Sequence, residues 1–124
     1  MKAFLIIFLG GGLGSAVRYY WGTWVNSISH SNYPYGTLTA NLAACFILGI
    51  TIALADQKLL LSANTRLFWT VGFCGGFSTF STFSAESLNL LNGGAPLQFF
   101  LYVSLSVVLC LLAVWLGLAT GKLF

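Results

Sequence analysis

The sequence predicts an all-α membrane protein of four transmembrane helices, and three observations carry that prediction. Hydrophobic residues make up 58% of the chain and charged residues 6%, with a mean hydropathy of +0.91, against roughly 25% charged residues in an ordinary soluble domain. The charged residues are Lys2, Arg18, Asp56, Lys58, Arg66, Glu86 and Lys122. They leave windows long enough for helices of about 20 residues, the length that crosses ~30 Å of hydrocarbon. Turn-rich segments divide these windows into spans near residues 3–26, 35–55, 66–91 and 97–121. Barrel strands do not fit, because the windows are too long and lack a sustained period of two. With connections this short, residues 1–124 read as a single transmembrane domain that does its work within the bilayer.

The first span begins like a signal peptide, with Lys2 ahead of an apolar run at residues 3–9. The run then continues through GGGLGSAV without an A-x-A cleavage signal, which marks it as a retained helix. Gly10 with Gly14, Gly11 with Ser15 and Gly12 with Ala16 have the small-xxx-small spacing that lets helix backbones approach closely. A dinucleotide fingerprint is excluded, since the G-x-G-x-x-G register from Gly10 ends on Ser15 and no strand precedes it. Arg18 lies about 15 residues into the span, hence more than ~20 Å along the helix and near the far interface. At the midplane it would cost about 2.5 to 3.5 kcal/mol, so a watery vestibule or snorkelling is expected, and there its charge can hold anions.

The loop NSISHSNYPYG, residues 26–36, ends the first span with turn formers and Pro34. In the second span Thr37 and Asn41 share one helix face. A lone amide there serves either as an interhelical bond or as a donor into a wet path, because lipid offers it no partner. Residues 55–66, ADQKLLLSANTR, form the next connection.

The third span contains GFCGGFSTFSTF, residues 72–83. Three residues turn a helix by about 300°, so Phe77, Phe80 and Phe83 sweep along one side beside stripes of Ser and Thr. Successive glycines weaken a helix interior, so Gly75 and Gly76 predict a break that frees backbone carbonyls. Such carbonyls are tolerated at membrane depth only when buried in protein, lining water or coordinating a cation. Glu86 follows as a cap or a structural hydrogen bond near the interface. NGGAP, residues 92–96, closes this span and opens the last. There Tyr102, Ser106 and Cys110 line up at i, i+4 and i+8, although Ser hydroxyls in such helices frequently bond their own backbone.

Several function classes fall away. The net charge of +3 is scattered, so nucleic acid is not a partner. Cys45, Cys74 and Cys110 occupy different spans with no C-x-x-C pair, which argues against zinc and against a disulfide framework. His30 has no nucleophile near it, and Asp56 and Glu86 fall near opposite membrane faces, so no enzyme is expected. Lys2, Lys58, Arg66 and Lys122 gather on one side against Arg18 on the other, a bias that favours both termini inside.

Three segments together carry a resemblance: GGLGSAVRYY at 11–20, GTLTAN at 36–41 and above all GFCGGFSTFSTFSAE at 72–86. Over essentially the whole chain they resemble the Fluc family of small fluoride channels, also known as CrcB-type proteins. The resemblance implies an antiparallel, dual-topology homodimer in the inner (plasma) membrane, whose two pores passively export cytoplasmic fluoride. It places Asn41, Phe80, Thr82, Phe83, Tyr102 and Ser106 on the fluoride path and Arg18 at the vestibule. It also implies a structural sodium ion at the dimer centre, held by the main-chain carbonyls of Gly75 and Ser78. Dual insertion normally goes with balanced loop charge, whereas this chain is biased, and Cys110 stands where other members can carry a hydroxyl. Two rival functions remain open. One is a small four-helix proton-coupled exporter, for which Glu86 is the sole candidate carboxylate; the other is a structural subunit of a membrane complex.

Overall fold

A computed structural model describes residues 1–57 and 61–124, so Lys58, counted above in the charge bias, lies outside the described residues. The described chain is helical throughout, with no strand among the described residues. Helix α1 spans Lys2–Ser29, α2 Tyr35–Asp56 and α6 Pro96–Gly121. These three are long and apolar enough to cross a membrane. Between α2 and α6 the third region is assembled from shorter pieces. α3 (Ala63–Leu67) runs into a π-helical stretch (Phe68–Cys74) and then α4 (Gly75–Phe77). After Ser78 and Thr79, α5 (Phe80–Asn92) follows. Counting that region as one unit gives four helical segments.

The ends follow local chemistry. His30 closes α1 in the left-handed conformation at φ 45°. Ser62 caps α3 by accepting from the Thr65 N–H, and Pro96 opens α6 from its first turn, where a missing N–H costs nothing. Gly94 takes φ 79° in the turn after α5, a conformation glycine adopts without a Cβ penalty.

Helix pairs are drawn together by glycine. A Cβ on Gly10 would lie 2.8 Å from the Phe68 carbonyl oxygen, and one on Gly14 would overlap that of Phe73, so α1 packs main chain to main chain along the third region. On the other side α2 and α6 form the most extensive helix contact. There a Cβ on Gly49 would overlap the Val114 carbonyl and one on Gly117 the Phe46 carbonyl. Contacts advance together along both members of each pair, so both pairs run parallel. The Gln57 amide donating to the Gly121 carbonyl at 3.2 Å joins the ends of α2 and α6. Ala40, Ala44, Phe73, Cys74 and Phe77 make the buried core between the pairs. Outward, Phe8, Leu111 and Trp115 are largely exposed, as a lipid-facing surface requires.

Two expectations are revised. The glycine pair does not interrupt the helix: Gly75 is helical at φ −63°, ψ −37°, and Gly75 and Gly76 lie within α4. The extended residues are Ser78 (φ −80°, ψ 155°) and Thr79 (φ −151°, ψ 118°). Gly76 is needed instead for close approach, because a Cβ there would overlap the Gly11 carbonyl. Nor do the three phenylalanines form one stripe. Phe77, before the extended residues, is buried in the core, whereas Phe80, after them, is largely exposed.

Candidate functional site

Asn41 of α2 grips the extended residues from both sides. Its Oδ1 accepts from the Thr79 N–H at 2.7 Å and its Nδ2 donates to the Thr79 carbonyl at 3.2 Å. Thr79 in turn caps α5, its hydroxyl oxygen accepting from the Thr82 N–H at 3.2 Å and donating to the Thr82 hydroxyl at 3.1 Å. Had the helix continued, the Thr79 N–H would have bonded the Gly75 carbonyl, and the Thr82 N–H the Ser78 carbonyl. Both donors have been taken by side chains. The Gly76 carbonyl, by contrast, accepts from Arg18 Nε at 3.1 Å and the Ser15 hydroxyl at 3.4 Å.

Beside the extended residues lies a cavity of about 270 Å³ walled by Asn41, Ser78, Thr79, Phe80, Phe83 and Ser106, with Cys45, Val107 and Cys110 completing it. Among the described residues no Lys, Arg, Asp, Glu or His lines it. The Ser106 hydroxyl is buried and has no hydrogen-bond partner among the described residues. A buried, unpaired polar group costs about 1 to 3 kcal/mol, so this one stands ready for a guest. Ser78 is different: its hydroxyl donates back to the Cys74 carbonyl at 2.8 Å.

From the cavity an aromatic row leads to the loop after α1. Ring centroids step from Phe80 to Phe83 (5.5 Å), to Tyr102 (5.1 Å), to Tyr33 (5.5 Å) and to Tyr35 (4.7 Å). Beside the row Glu86 accepts from the Thr37 hydroxyl on one oxygen and the Tyr102 hydroxyl on the other, both at 2.8 Å. A recess of about 620 Å³ opens there, lined by Asn26, Tyr33, Glu86, Asn89 and Gln98 among others. The Tyr33 hydroxyl is buried without a partner. Burial pushes it up from its ordinary pKa, and the neighbouring Tyr35 pushes the same way.

Of the residues singled out from sequence, Asn41, Ser78, Phe80, Phe83 and Ser106 meet at the cavity. Tyr102 stands behind Phe83, fully buried, and reaches Glu86. Thr82 belongs to the cap of α5 and does not line the cavity. Arg18 reaches across to the Gly76 carbonyl. Sequence reasoning passed over Tyr33, which lay in a segment read only as a turn, and did not pair Glu86 with Thr37 and Tyr102.

The family model described as CrcB-like protein, Camphor Resistance (CrcB), matches residues 5–118. A protein of Phocaeicola vulgatus named fluoride-specific ion channel FluC is 44% identical over 118 residues, covering 95% of this chain and 97% of its own. Proteins of the same name from Flavobacterium psychrophilum and Rhizobium johnstonii are each 40% identical over 122 residues, covering 98% of this chain and 98% and 97% of theirs.

Proposed function

The chain belongs to the CrcB-like family and is a multi-pass protein of the cell membrane, and from that premise we propose that it is a passive, fluoride-selective channel. The observation that carries the reading is the unpaired Ser106 hydroxyl in an uncharged cavity rimmed by Phe80 and Phe83. A small anion loses a strong hydration shell on entering lipid, and a fixed cation would replace that shell too well and trap it. Phenyl edges carry partial positive charge, and hydroxyl and amide hydrogens add dipoles, so together they bind firmly enough to admit the ion and weakly enough to release it. Ser106 donates first. Asn41 uses one amide hydrogen on Thr79 and has a second to offer. Tyr102 and the Thr37–Glu86 pair continue the polar side of the path toward the recess, with Thr82 holding the start of α5 in place and Arg18 bracing the α4 carbonyl from α1. The working unit on this reading is one domain, residues 1–124, with the third span as a broken helix.

We further propose that two copies assemble antiparallel, giving two pores. Phe80 is 79% exposed on the single chain, which is costly for a pore residue unless another copy covers it. A sodium ion fits the same assembly. The carbonyls of Gly75 and Ser78 have lost their helical donors to Asn41 and Thr79, and the space beside Gly75 is open. Uncharged oxygens of this kind suit a hard monovalent cation, which would tie the copies together and take no part in permeation.

The test is efflux from liposomes containing only this polypeptide and loaded with fluoride or chloride. Fluoride should leave and chloride stay, with no dependence on an imposed proton gradient. Gradient-dependent flux abolished by Glu86→Gln would establish the coupled exporter, and no flux of either anion would leave a structural subunit.

A further inference from the structure

Cys45 and Cys110 face the same cavity from two helices, α2 and α6. Their meeting follows from register. The two helices run parallel and touch main chain to main chain where Gly49 meets Val114. Cys45 precedes Gly49 by one turn and Cys110 precedes Val114 by one turn, so the thiols fall opposite one another on the approaching faces. Each is half-buried, whereas Cys74 is buried in the core and does not reach the cavity. One turn before them stand Asn41 and Ser106, the polar pair of the proposed path.

The geometry points to a site for one soft, two-coordinate metal ion of the mercury(II) class, bridging Cys45 Sγ and Cys110 Sγ and obstructing the cavity. Thiolate sulfur selects soft metals, and two opposed thiols supply the linear pair of ligands such an ion takes. Among the described residues no group of three or more His, Cys, Asp or Glu side chains could hold a metal, so a tetrahedral zinc-type site is not the alternative here. In the binding step each thiol releases its proton to water and each sulfur forms one bond to the metal; nothing is oxidised or reduced. The obstruction of fluoride rests on the channel reading, whereas the binding does not.

The experiment titrates mercuric ion into the full-length chain, following the near-ultraviolet sulfur-to-mercury charge-transfer band, and measures fluoride efflux on the same reconstituted samples. The wild type should take up one ion per chain and lose its flux, with recovery on adding dithiothreitol. Cys45→Ser and Cys110→Ser should each weaken binding by about a hundredfold or more, the advantage of a second tethered ligand. Each should also keep its own metal-free rate when mercury is present, while Cys74→Ser should bind as the wild type does. Undiminished affinity in either single variant, or two independent ions per chain, would overturn the site. Block that persists in the Cys45→Ser, Cys110→Ser double variant would do the same. Absence of flux before metal is added would instead count against the channel, and the absorbance titration would still decide the thiol pair.

Discussion

The contact between α2 and α6 and the junction between α4 and α5 lie within a few turns of each other, yet they are built on opposite principles. At the first, Gly49 and Gly117 bring two backbones together so closely that a single Cβ would overlap a carbonyl oxygen. At the second, Ser78 and Thr79 leave the helix and are held by one side chain, Asn41, across the core. Where Gly49 and Gly117 meet there is no room for one added carbon, whereas the junction borders a cavity of about 270 Å³, on whose α6 wall the buried Ser106 hydroxyl has no partner among the described residues. A membrane protein has little water or charge with which to fix polar backbone, so a close-packed frame is what allows an open polar site beside it.

The comparison breaks most visibly at the glycines. Gly49→Ala and Gly117→Ala should each destabilise the fold by about 1 to 3 kcal/mol, the cost of overpacking, read as a lower unfolding temperature in detergent. Gly12→Ala meets nothing within 4 Å and should show no such loss. An equal response at all three positions would mean that close approach is not what these glycines provide.

Next come the rings. Phe83→Ile and Phe80→Ile keep apolar bulk but remove the positive edge; if that edge contributes on the order of the ~0.5 to 1.5 kcal/mol it gives between two rings, fluoride efflux should fall by about twofold to tenfold. The unfolding temperature should hardly move. Unchanged efflux in both would remove the rings from the path.

Asn41 and Ser106 sharpen the contrast inside the site. Asn41→Ala strips Thr79 of two bonds, so it should lower both stability, by about 1 to 3 kcal/mol, and efflux. Ser106→Ala removes a hydroxyl that bonds nothing among the described residues, so stability should hold or rise while efflux drops. If Ser106→Ala unfolds as readily as Asn41→Ala, the hydroxyl is structural. The smallest effect belongs to Ser78→Ala, which loses only a bond to its own helix and keeps the carbonyl that we propose for sodium. Efflux and its sodium dependence should both persist.

How far each region was legible in the sequence follows from the range of its interactions. The spans expected at 3–26, 35–55 and 97–121 match α1, α2 and α6 within a few residues, because apolar length and turn formers act locally. The small-residue spacing in α1 likewise announced close packing, which Gly10 and Gly14 bear out. The junction was misplaced by two or three residues because the local cue, Gly75-Gly76, competes with a bond from Asn41, 38 positions away. Glu86 bonds Thr37 across 49 positions and Tyr102 across 16, and one-dimensional spacing holds no trace of that meeting. The π-helical stretch at Phe68–Cys74 had no signal either. The residues with special chemistry were therefore visible, and the partners that position them were not.

The central claim is that fluoride sits against uncharged ring edges in the cavity beside Ser78 and Thr79. Solid-state NMR can read this directly, by recoupling bound fluoride to ring-labelled phenylalanine carbons in the reconstituted protein. Dipolar dephasing of the Phe80 and Phe83 rings, reduced in Phe83→Ile, is the predicted result. Dephasing confined to other residues, in protein that still conducts fluoride, would contradict it.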